Sequence, residues 1–313
     1  MACKAFRRKW LSELRTNAGS FLGTSLLAVA VMVLTSCTRV VHTDDLLRPY
    51  RLPTLSDEVS RDDVHIRVDD STVLRGWWLT PPDARGTIIV YCGLDEVIQQ
   101  WTDRFNWFTT NLRMNVLAVD CRGFGFSSGK ATFDNMLTDA LSVFELYDSL
   151  TESASGPIFL YGHSLGAGVA IHVADNRKVN GVMLESSFTT AAATIPFQRA
   201  VLPWPLRWLV RLKADSTLRN FHPQPIEEIT SMTAPALFIH GSSDKQAPIW
   251  MGREMFQAAA SGEKFFCEVP GGGHDNLELN REPASTCIWS FIEDRLAATD
   301  ERHISDNSAA LEW

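Results

Sequence analysis

Residues 157–166, Pro-Ile-Phe-Leu-Tyr-Gly-His-Ser-Leu-Gly, contain the pattern that decides the fold. The apolar run Pro157–Tyr161 predicts a strand, and the glycine- and alanine-rich stretch Ala167–Asp175 predicts a helix directly after it. Between them the chain matches G-x-S-x-G, in which a sharp, strained turn holds a serine between strand and helix and needs small flanking residues. The pattern therefore predicts Ser164 as a nucleophile at a helix N-terminus.

A serine hydroxyl is a poor nucleophile at neutral pH, so Ser164 needs a base to take its proton and an acid to orient that base. Asp244 follows the predicted strand Pro235–His240, and His274 follows three glycines after the predicted strand at 264–269. The order serine, acid, histidine suits a strand–turn–helix nucleophile. We predict Ser164, Asp244 and His274 as the catalytic residues, with Asp275 as the chief rival for the acid and Asp215 as a weaker one.

Negative charge that develops on a substrate oxygen needs backbone N–H donors. One donor follows the nucleophile, which predicts the N–H of Leu165. The second should come from the loop after the strand Thr87–Cys92, where Gly93 permits a close approach of the backbone. We therefore predict the N–H of Leu94 as the other half of an oxyanion hole.

Short β-rich runs alternate with helical stretches along most of the chain, after two leading strands that can form a hairpin. This order predicts an α/β fold with a mostly parallel, eight-stranded sheet flanked by helices. Residues 189–225 break the alternation with several prolines and aromatics and predict a small helical cap with an apolar wall for an acyl group. The predicted strands are Val64–Val68, Thr72–Leu79, Thr87–Cys92, Asn115–Asp120, Pro157–Tyr161, Gly181–Glu185, Pro235–His240 and Lys264–Val269, and the main helices Phe133–Leu150, Ala167–Asp175, Met251–Ala260 and Pro283–Ala298.

The N-terminus combines a basic start with an uncharged, mostly apolar run of residues 21–35. Such a run is short for a bilayer span and typical of a secretory signal. Leu34-Thr35-Ser36-Cys37 resembles a bacterial lipobox, so residues 1–36 are predicted as a lipoprotein signal peptide and Cys37 as the lipidated residue; an uncleaved signal anchor is the alternative. We expect a tether over 37–63, the catalytic domain over 64–298, a polar tail over 299–313, and a domain anchored to a membrane on its periplasmic or cell-envelope side.

The composition excludes some classes of partner. A formal net charge of −8, with no basic stripe after the signal, argues against a nucleic-acid binder. No clustered cysteine and histidine spacing indicates a metal, and no cofactor is implied. Besides Cys3 and Cys37 the chain has Cys92, Cys121, Cys267 and Cys287. Either the first or the second pair of these four can form a disulfide in an oxidising compartment, and burial as free thiols is the alternative for both pairs.

Further motifs resemble the α/β-hydrolase superfamily, and more narrowly its membrane-associated group related to the serine aminopeptidase-type hydrolases. Residues 120–129, Asp-Cys-Arg-Gly-Phe-Gly-Phe-Ser-Ser-Gly, are similar to the family's D-x-R-G-x-G-x-S-x-G turn, and residues 185–189, Glu-Ser-Ser-Phe-Thr, to its E-S-x-F-T segment. The resemblance covers about residues 64–296. It departs at the oxyanion loop, where relatives usually carry His-Gly-Asn and this chain has Cys92, Gly93 and Leu94.

The resemblance implies a serine hydrolase that cleaves a carboxylic ester or thioester through an acyl-enzyme intermediate. The substrate would be a small or lipid-like acyl compound. A serine peptidase is the first alternative, with Glu227 and Glu228 as the acidic residues available to bind an N-terminal amine. A catalytically silent binding lipoprotein with the same fold is the second.

Overall fold

A central sheet of eight strands organises the molecule, seen here in a computed structural model that describes residues 37–47, 61–150, 156–198, 207 and 210–309. The sheet order is β10-β9-β7-β6-β4-β5-β3-β2. Among these strands β3 pairs antiparallel with β2 and β5, and the other neighbours pair parallel. The predicted α/β fold is thereby confirmed. The strands are β1 Cys37–Val41, β2 Asp62–Arg67, β3 Val73–Leu79, β4 Thr87–Tyr91, β5 Asn115–Val119, β6 Ile158–His163, β7 Gly181–Glu185, β8 Val210–Ala214, β9 Ala236–Gly241 and β10 Lys264–Val269.

Helices cover both faces of this sheet. Four inner strands, β4, β5, β7 and β9, are buried along their whole length, which is why they appear in the sequence as continuous apolar runs rather than as alternating patterns. Two clusters of buried side chains, one on each face, fill the space beneath the helices. The helices are α1 Thr43–Leu46, α2 Thr102–Thr110, α3 Phe133–Leu150, α4 Leu165–Asn176, α5 Ala191–Thr194, α6 Ser216–Arg219, α7 Pro225–Glu228, α8 Ile249–Ala258 and α9 Ala284–Ala309.

Two helices differ from the sequence prediction. Helix α2, which a 3-10 turn at Ile98–Trp101 precedes, was not predicted because threonine and asparagine are weak helix formers. It forms because Phe105 and Phe108 are fully buried against the sheet. Helix α9 continues to Ala309, so most of the segment predicted as a polar tail is helical and residues 310–313 lie outside the described part.

The segment after Cys37 is not the plain linker that the sequence predicts. Strand β1 pairs parallel with β8 of the cap, in a register that matches Cys37 with Val210 and Val41 with Ala214. Val41 and Leu47 are buried in the main core cluster. The sequence did not indicate this strand because the pairing joins segments far apart in the chain. Residues 1–36 and 48–60, which include the predicted signal peptide, lie outside the described residues.

The cap also contains more than helices. The short helices α5, α6 and α7 are joined there by β8, in which Val210 and Leu212 alternate with Arg211 and Lys213. This alternation is typical of a half-buried strand. The cap residues that the structure does not describe are 199–206 and 208–209, which include both tryptophans of the cap, Trp204 and Trp208.

A disulfide joins Cys267 of β10 to Cys287 of α9 across a sequence separation of 20 residues. Of the two pairs left open by the sequence, this one is bonded, while Cys92 and Cys121 are free thiols. The bond ties the last helix to the edge strand of the sheet. Among the helices that the structure describes, none has the length and apolar character needed to cross a membrane.

Reduction of this disulfide is expected to lower the free energy of unfolding by about 3 kcal/mol, because a loop of this size becomes unconstrained in the unfolded chain. Urea unfolding with and without dithiothreitol measures the change, and a Cys267→Ser/Cys287→Ser variant serves as a control that dithiothreitol should not affect. Equal urea midpoints for the oxidised and reduced wild-type protein would show that the bond does not stabilise the fold.

Candidate active site

Ser164 lies at the junction of β6 and α4 in a strained backbone conformation. Its φ of 52° and ψ of −113° are unusual for a residue with a side chain. The turn is held by a hydrogen bond of 2.9 Å from the N–H of Ser164 to the carbonyl oxygen of Glu185. A Cβ atom at Gly166 would lie 2.0 Å from the carbonyl oxygen of Tyr91, so only glycine lets the turn approach the end of β4. The loop after β4 thus lies beside Ser164.

The three predicted catalytic side chains lie in one hydrogen-bonded line. Nε2 of His274 is 2.9 Å from Oγ of Ser164, and Nδ1 of His274 is 2.8 Å from Oδ2 of Asp244. Ser164 comes from the turn after β6, Asp244 from the loop after β9 and His274 from the loop after β10. These strands are parallel, so their carboxyl ends bring the three loops to the same edge of the sheet.

The environment of Asp244 keeps it ionised. Burial acts to raise the pKa of its carboxyl group, but hydrogen bonds from His274 and from the N–H of Ala247 outweigh this effect and hold the pKa below its ordinary value. Oδ1 accepts the backbone N–H groups of Gln246 and Ala247 at 2.9 and 2.8 Å, which leaves Oδ2 directed at His274. A carboxylate in this position favours the tautomer in which Nε2 of His274 can accept the proton of Ser164.

The two rival acids have other contacts. Asp275 is exposed, and its Oδ2 accepts a hydrogen bond of 2.9 Å from Nε2 of Gln246. Asp215 accepts the backbone N–H of Leu218 at the start of α6 and is hydrogen-bonded to Nδ1 of His42 at 2.8 Å. In the described part of the chain, Asp244 is therefore the acid that bonds Nδ1 of His274.

A cavity of about 530 Å³ opens over Ser164. The predicted oxyanion residues Leu94 and Leu165 line it together with the serine. Its lining contains both polar and apolar side chains, and Leu46 of α1, from the segment predicted as a tether, is one of the apolar ones. The polar side chains include Glu96, Gln100, Arg104 and Asp275, and the apolar ones Leu46, Phe133, Phe188 and Ala191.

A buried polar network, which the sequence reasoning did not identify, lies beneath the site. The carboxylate of Glu185, the first residue of the E-S-x-F-T segment, is fully buried and binds Arg104 through two hydrogen bonds of 2.5 and 3.1 Å. The hydroxyl of Tyr161 donates to the same carboxylate. This pairing explains why a charged residue can end the buried strand β7. Its only signal in the sequence was a glutamate at the end of an apolar run.

His163, the residue before Ser164, is another buried charged group beside the site. Burial lowers the pKa of its imidazole, but the carboxylates of Glu96 and Glu185 outweigh burial and raise the pKa to about 9. Nδ1 of His163 lies 3.0 Å from Oε1 of Glu96. His163 is therefore an imidazolium at neutral pH.

In the described residues, His163, His274 and Asp275 form one group whose potential metal-ligating atoms lie within 4.8 Å of one another. Both ring nitrogens of His274 already bond Ser164 and Asp244, and Nε2 of His163 bonds the carbonyl oxygen of His274. His274 is therefore engaged in the hydrogen-bonded line from Ser164 to Asp244, and His163 holds the backbone of His274.

Comparisons with known proteins agree with this architecture. Residues 82–226 match the protein family described as serine aminopeptidase, S33. An uncharacterized protein of Mycobacterium tuberculosis is 30% identical over 219 residues, which cover 69% of this chain and 73% of that protein. The lysophosphatidylserine lipase ABHD12 of Macaca fascicularis is 28% identical over 165 residues, 50% of this chain and 40% of that one. The structure of an esterase from Pyrococcus furiosus superposes with a TM-score of 0.66 at 19% identity, over 82% of this chain and all of the esterase.

Proposed function

Because the chain belongs to the α/β-hydrolase superfamily, we propose that it is a serine hydrolase that cleaves a carboxylic ester or thioester through an acyl-enzyme intermediate. The observation that carries the proposal is the line of hydrogen bonds from Ser164 through His274 to Asp244, with distances of 2.9 and 2.8 Å. A strained serine at a helix N-terminus, open to a cavity, supports it further.

The reaction proceeds in two acyl transfers. Oγ of Ser164 attacks the carbonyl carbon while Nε2 of His274 takes its proton, and the N–H groups of Leu94 and Leu165 hold the negative oxygen of the tetrahedral intermediate. The intermediate collapses, and the leaving alcohol or thiol departs with the proton from His274. A water molecule, deprotonated by the same imidazole, then attacks the acyl-serine; collapse of the second intermediate releases the carboxylic acid and returns the proton to Ser164.

The lining of the cavity favours an acyl ester of an amphiphilic compound. The apolar side chains of Leu46, Phe133 and Phe188 suit an acyl chain, and the polar side chains of the same lining suit a polar leaving group. The name of the macaque relative, a lysophosphatidylserine lipase, points to the same class of compound.

The alternative of a peptidase is less well supported. Glu228 is hydrogen-bonded to Nδ1 of His172 at 2.6 Å, and Glu227 to Nδ1 of His222 at 2.8 Å. These contacts engage both acidic residues that the sequence offered for binding an N-terminal amine.

A lipid on Cys37 would attach the protein to a membrane on its periplasmic or cell-envelope side. The lipobox-like residues 34–37 after an apolar run support this part of the proposal. The disulfide between Cys267 and Cys287 is the kind of bond that persists in such an oxidising compartment. Metabolic labelling with a palmitate analogue, which Cys37→Ser should abolish, tests the lipid.

Hydrolysis of p-nitrophenyl esters from acetate to palmitate by the full-length protein tests the activity. Each buried CH2 contributes about 0.8 kcal/mol, so kcat/KM is expected to rise up to about fourfold per methylene until the acyl chain outgrows the apolar lining. A fluorophosphonate should label the protein, with the adduct on Ser164 by mass spectrometry. If no ester is hydrolysed and no label is incorporated, the protein is a binding lipoprotein rather than a hydrolase.

A further inference from the structure

The oxyanion loop, the Ser164 turn and the His274 loop meet at one buried ion pair. We propose that Glu96 and His163, here called the latch pair, are positioning residues that fasten the oxyanion loop to the backbone of the Ser164 and His274 loops. The inference rests on the proposed serine hydrolase activity, and it assigns a role to two residues that do not belong to the Ser164, His274 and Asp244 line.

The contacts form a continuous chain across the site. One oxygen of the Glu96 carboxylate accepts the backbone N–H of Gly93. The other lies 3.0 Å from Nδ1 of His163, a contact between opposite charges whose geometry is not that of a hydrogen bond. On its other side, Nε2 of His163 donates to the carbonyl oxygen of His274 at 3.0 Å. Since His163 directly precedes Ser164, the latch pair connects the oxyanion loop, the nucleophile turn and the histidine loop.

The bond to Gly93 bears directly on the oxyanion hole. The N–H of Gly93 precedes the proposed donor, the N–H of Leu94, by one peptide unit, so anchoring the first restricts the orientation of the second. An oxyanion donor is effective when it lies about 2.7–3.1 Å from the developing charge. A Cβ atom at Gly93 would lie 2.7 Å from Oε2 of Glu96 and 3.0 Å from Nδ1 of His163, which shows how closely the loop rests on the latch pair.

The surroundings keep both members of the latch pair charged. His163 is 2% exposed. The centroid of its ring is 5.8 Å from that of Trp101 and 5.2 Å from that of His274. Burial acts to raise the pKa of Glu96, but His163, the N–H of Gly93 and the charge of Arg104 hold it below its ordinary value. The charged and titratable groups that face His163 are Glu96, Glu185, Arg104, His274 and Asp275.

The sign of the pH dependence follows from these shifts. The pKa of His163 is raised to about 9, so its imidazolium attracts the Glu96 carboxylate at lower pH. This attraction is lost as the pH rises through about 9. The pKa of Glu96 is lowered, so its carboxylate stays charged at higher pH, and the attraction to His163 is lost only as the pH falls through that lowered pKa. The latch pair is intact between these limits.

The chain offers a matched control in a second histidine–glutamate pair. Nδ1 of His172 in α4 lies 2.6 Å from Oε1 of Glu228 in α7, and both side chains are largely buried. This pair joins a helix to the cap and does not contact the oxyanion, nucleophile or histidine loops in the described structure. Glu228→Gln therefore makes the same chemical change as Glu96→Gln outside the proposed latch.

The experiment compares these two variants with the full-length wild type in ester hydrolysis from pH 6 to 10. Glu96→Gln is expected to lower kcat about 10- to 100-fold with KM within about threefold, because a misplaced donor affects the transition state more than substrate binding. The wild type should lose kcat as the pH rises through about 9. In Glu96→Gln this decrease should be absent or shifted to lower pH, because the variant lacks the carboxylate that does most to raise the pKa of His163. Glu228→Gln should keep both the kcat and the decrease.

His163→Gln and the double variant test whether the residues act as a unit. If they do, Glu96→Gln/His163→Gln should lose about as much kcat as either single variant rather than the product of the two losses. Should Glu96→Gln fail to fold by circular dichroism, His163→Gln gives the same test, since it leaves the Gly93–Glu96 bond in place and should lack the decrease in kcat at high pH.

The outcomes separate the latch from the proposed function. An inactive wild type that a fluorophosphonate does not label would overturn the serine hydrolase proposal itself. An active wild type with a Glu96→Gln variant of unchanged kcat and pH profile would overturn the latch alone. Equal losses in Glu96→Gln and Glu228→Gln, or strictly multiplicative losses in the double variant, would also overturn it.

Discussion

Replacement of Ser164 by alanine is expected to lower kcat for ester hydrolysis by about 10⁶-fold, to the small rate that binding and the oxyanion hole alone support. Oγ of Ser164 is the group that bonds Nε2 of His274, and alanine leaves this imidazole with no nucleophile to activate. The measurement is steady-state hydrolysis of the best p-nitrophenyl ester together with fluorophosphonate labelling, which should be lost.

The strained backbone provides the control for this variant. Ser164 has a φ of 52°, a conformation that glycine adopts without the steric cost that a Cβ atom brings. Ser164→Gly and Ser164→Ala should therefore be equally inactive, while the glycine variant unfolds at a higher temperature than the alanine variant. Retention of more than about one hundredth of the wild-type kcat in either folded variant would exclude Ser164 as the nucleophile.

Replacement of Asp244 by asparagine is expected to lower kcat about 10⁴-fold while the fold is preserved. The backbone N–H groups of Gln246 and Ala247 bond one oxygen of Asp244, so in the variant they would retain the carbonyl oxygen of the amide. The amide NH2 would then face Nδ1 of His274. That nitrogen would have to accept a hydrogen bond, which places the imidazole proton on Nε2, where it can no longer accept the proton of Ser164.

The same experiment decides between the rival acids. Asp275 is bonded to Gln246 and Asp215 to His42, so Asp275→Asn and Asp215→Asn should each cost far less kcat than Asp244→Asn. The pH profile of each variant and the chemical shift of the proton on Nδ1 of His274 complete the measurement. A larger loss in Asp275→Asn than in Asp244→Asn would transfer the role of the acid to Asp275.

Much of the fold and the arrangement of the site could be predicted from local signals. The strands Gly181–Glu185 and Lys264–Val269 and the helix Phe133–Leu150 have the boundaries that the sequence predicts, because each is a periodic or apolar run between turn residues. Asp244 and His274 could be found because each follows a predicted strand closely, and the ends of parallel strands meet at one edge of the sheet.

The features that the sequence did not predict depend on contacts between distant segments. Strand β1 acquires its partner from β8, and α2 becomes helical because its phenylalanines are buried. The pairing of Glu96 with His163 joins the loop after β4 to the end of β6, two positions that no local pattern relates. A glutamate in a loop and a histidine before a serine have no periodicity that distinguishes them from solvated residues.

The parallel pairing of β1 has a mechanical consequence for a protein held at a bilayer. With the lipid proposed on Cys37, the acyl chains would be attached to the first residue of a strand that is hydrogen-bonded to the cap. A flexible linker of n residues has an end-to-end distance of about 5–6 Å × √n, so a domain at its end moves over that range. A hydrogen-bonded strand does not allow this movement. The catalytic domain would then stay at a nearly constant distance from the bilayer and in a nearly constant orientation. It would meet its substrates by lateral diffusion in the plane of the membrane.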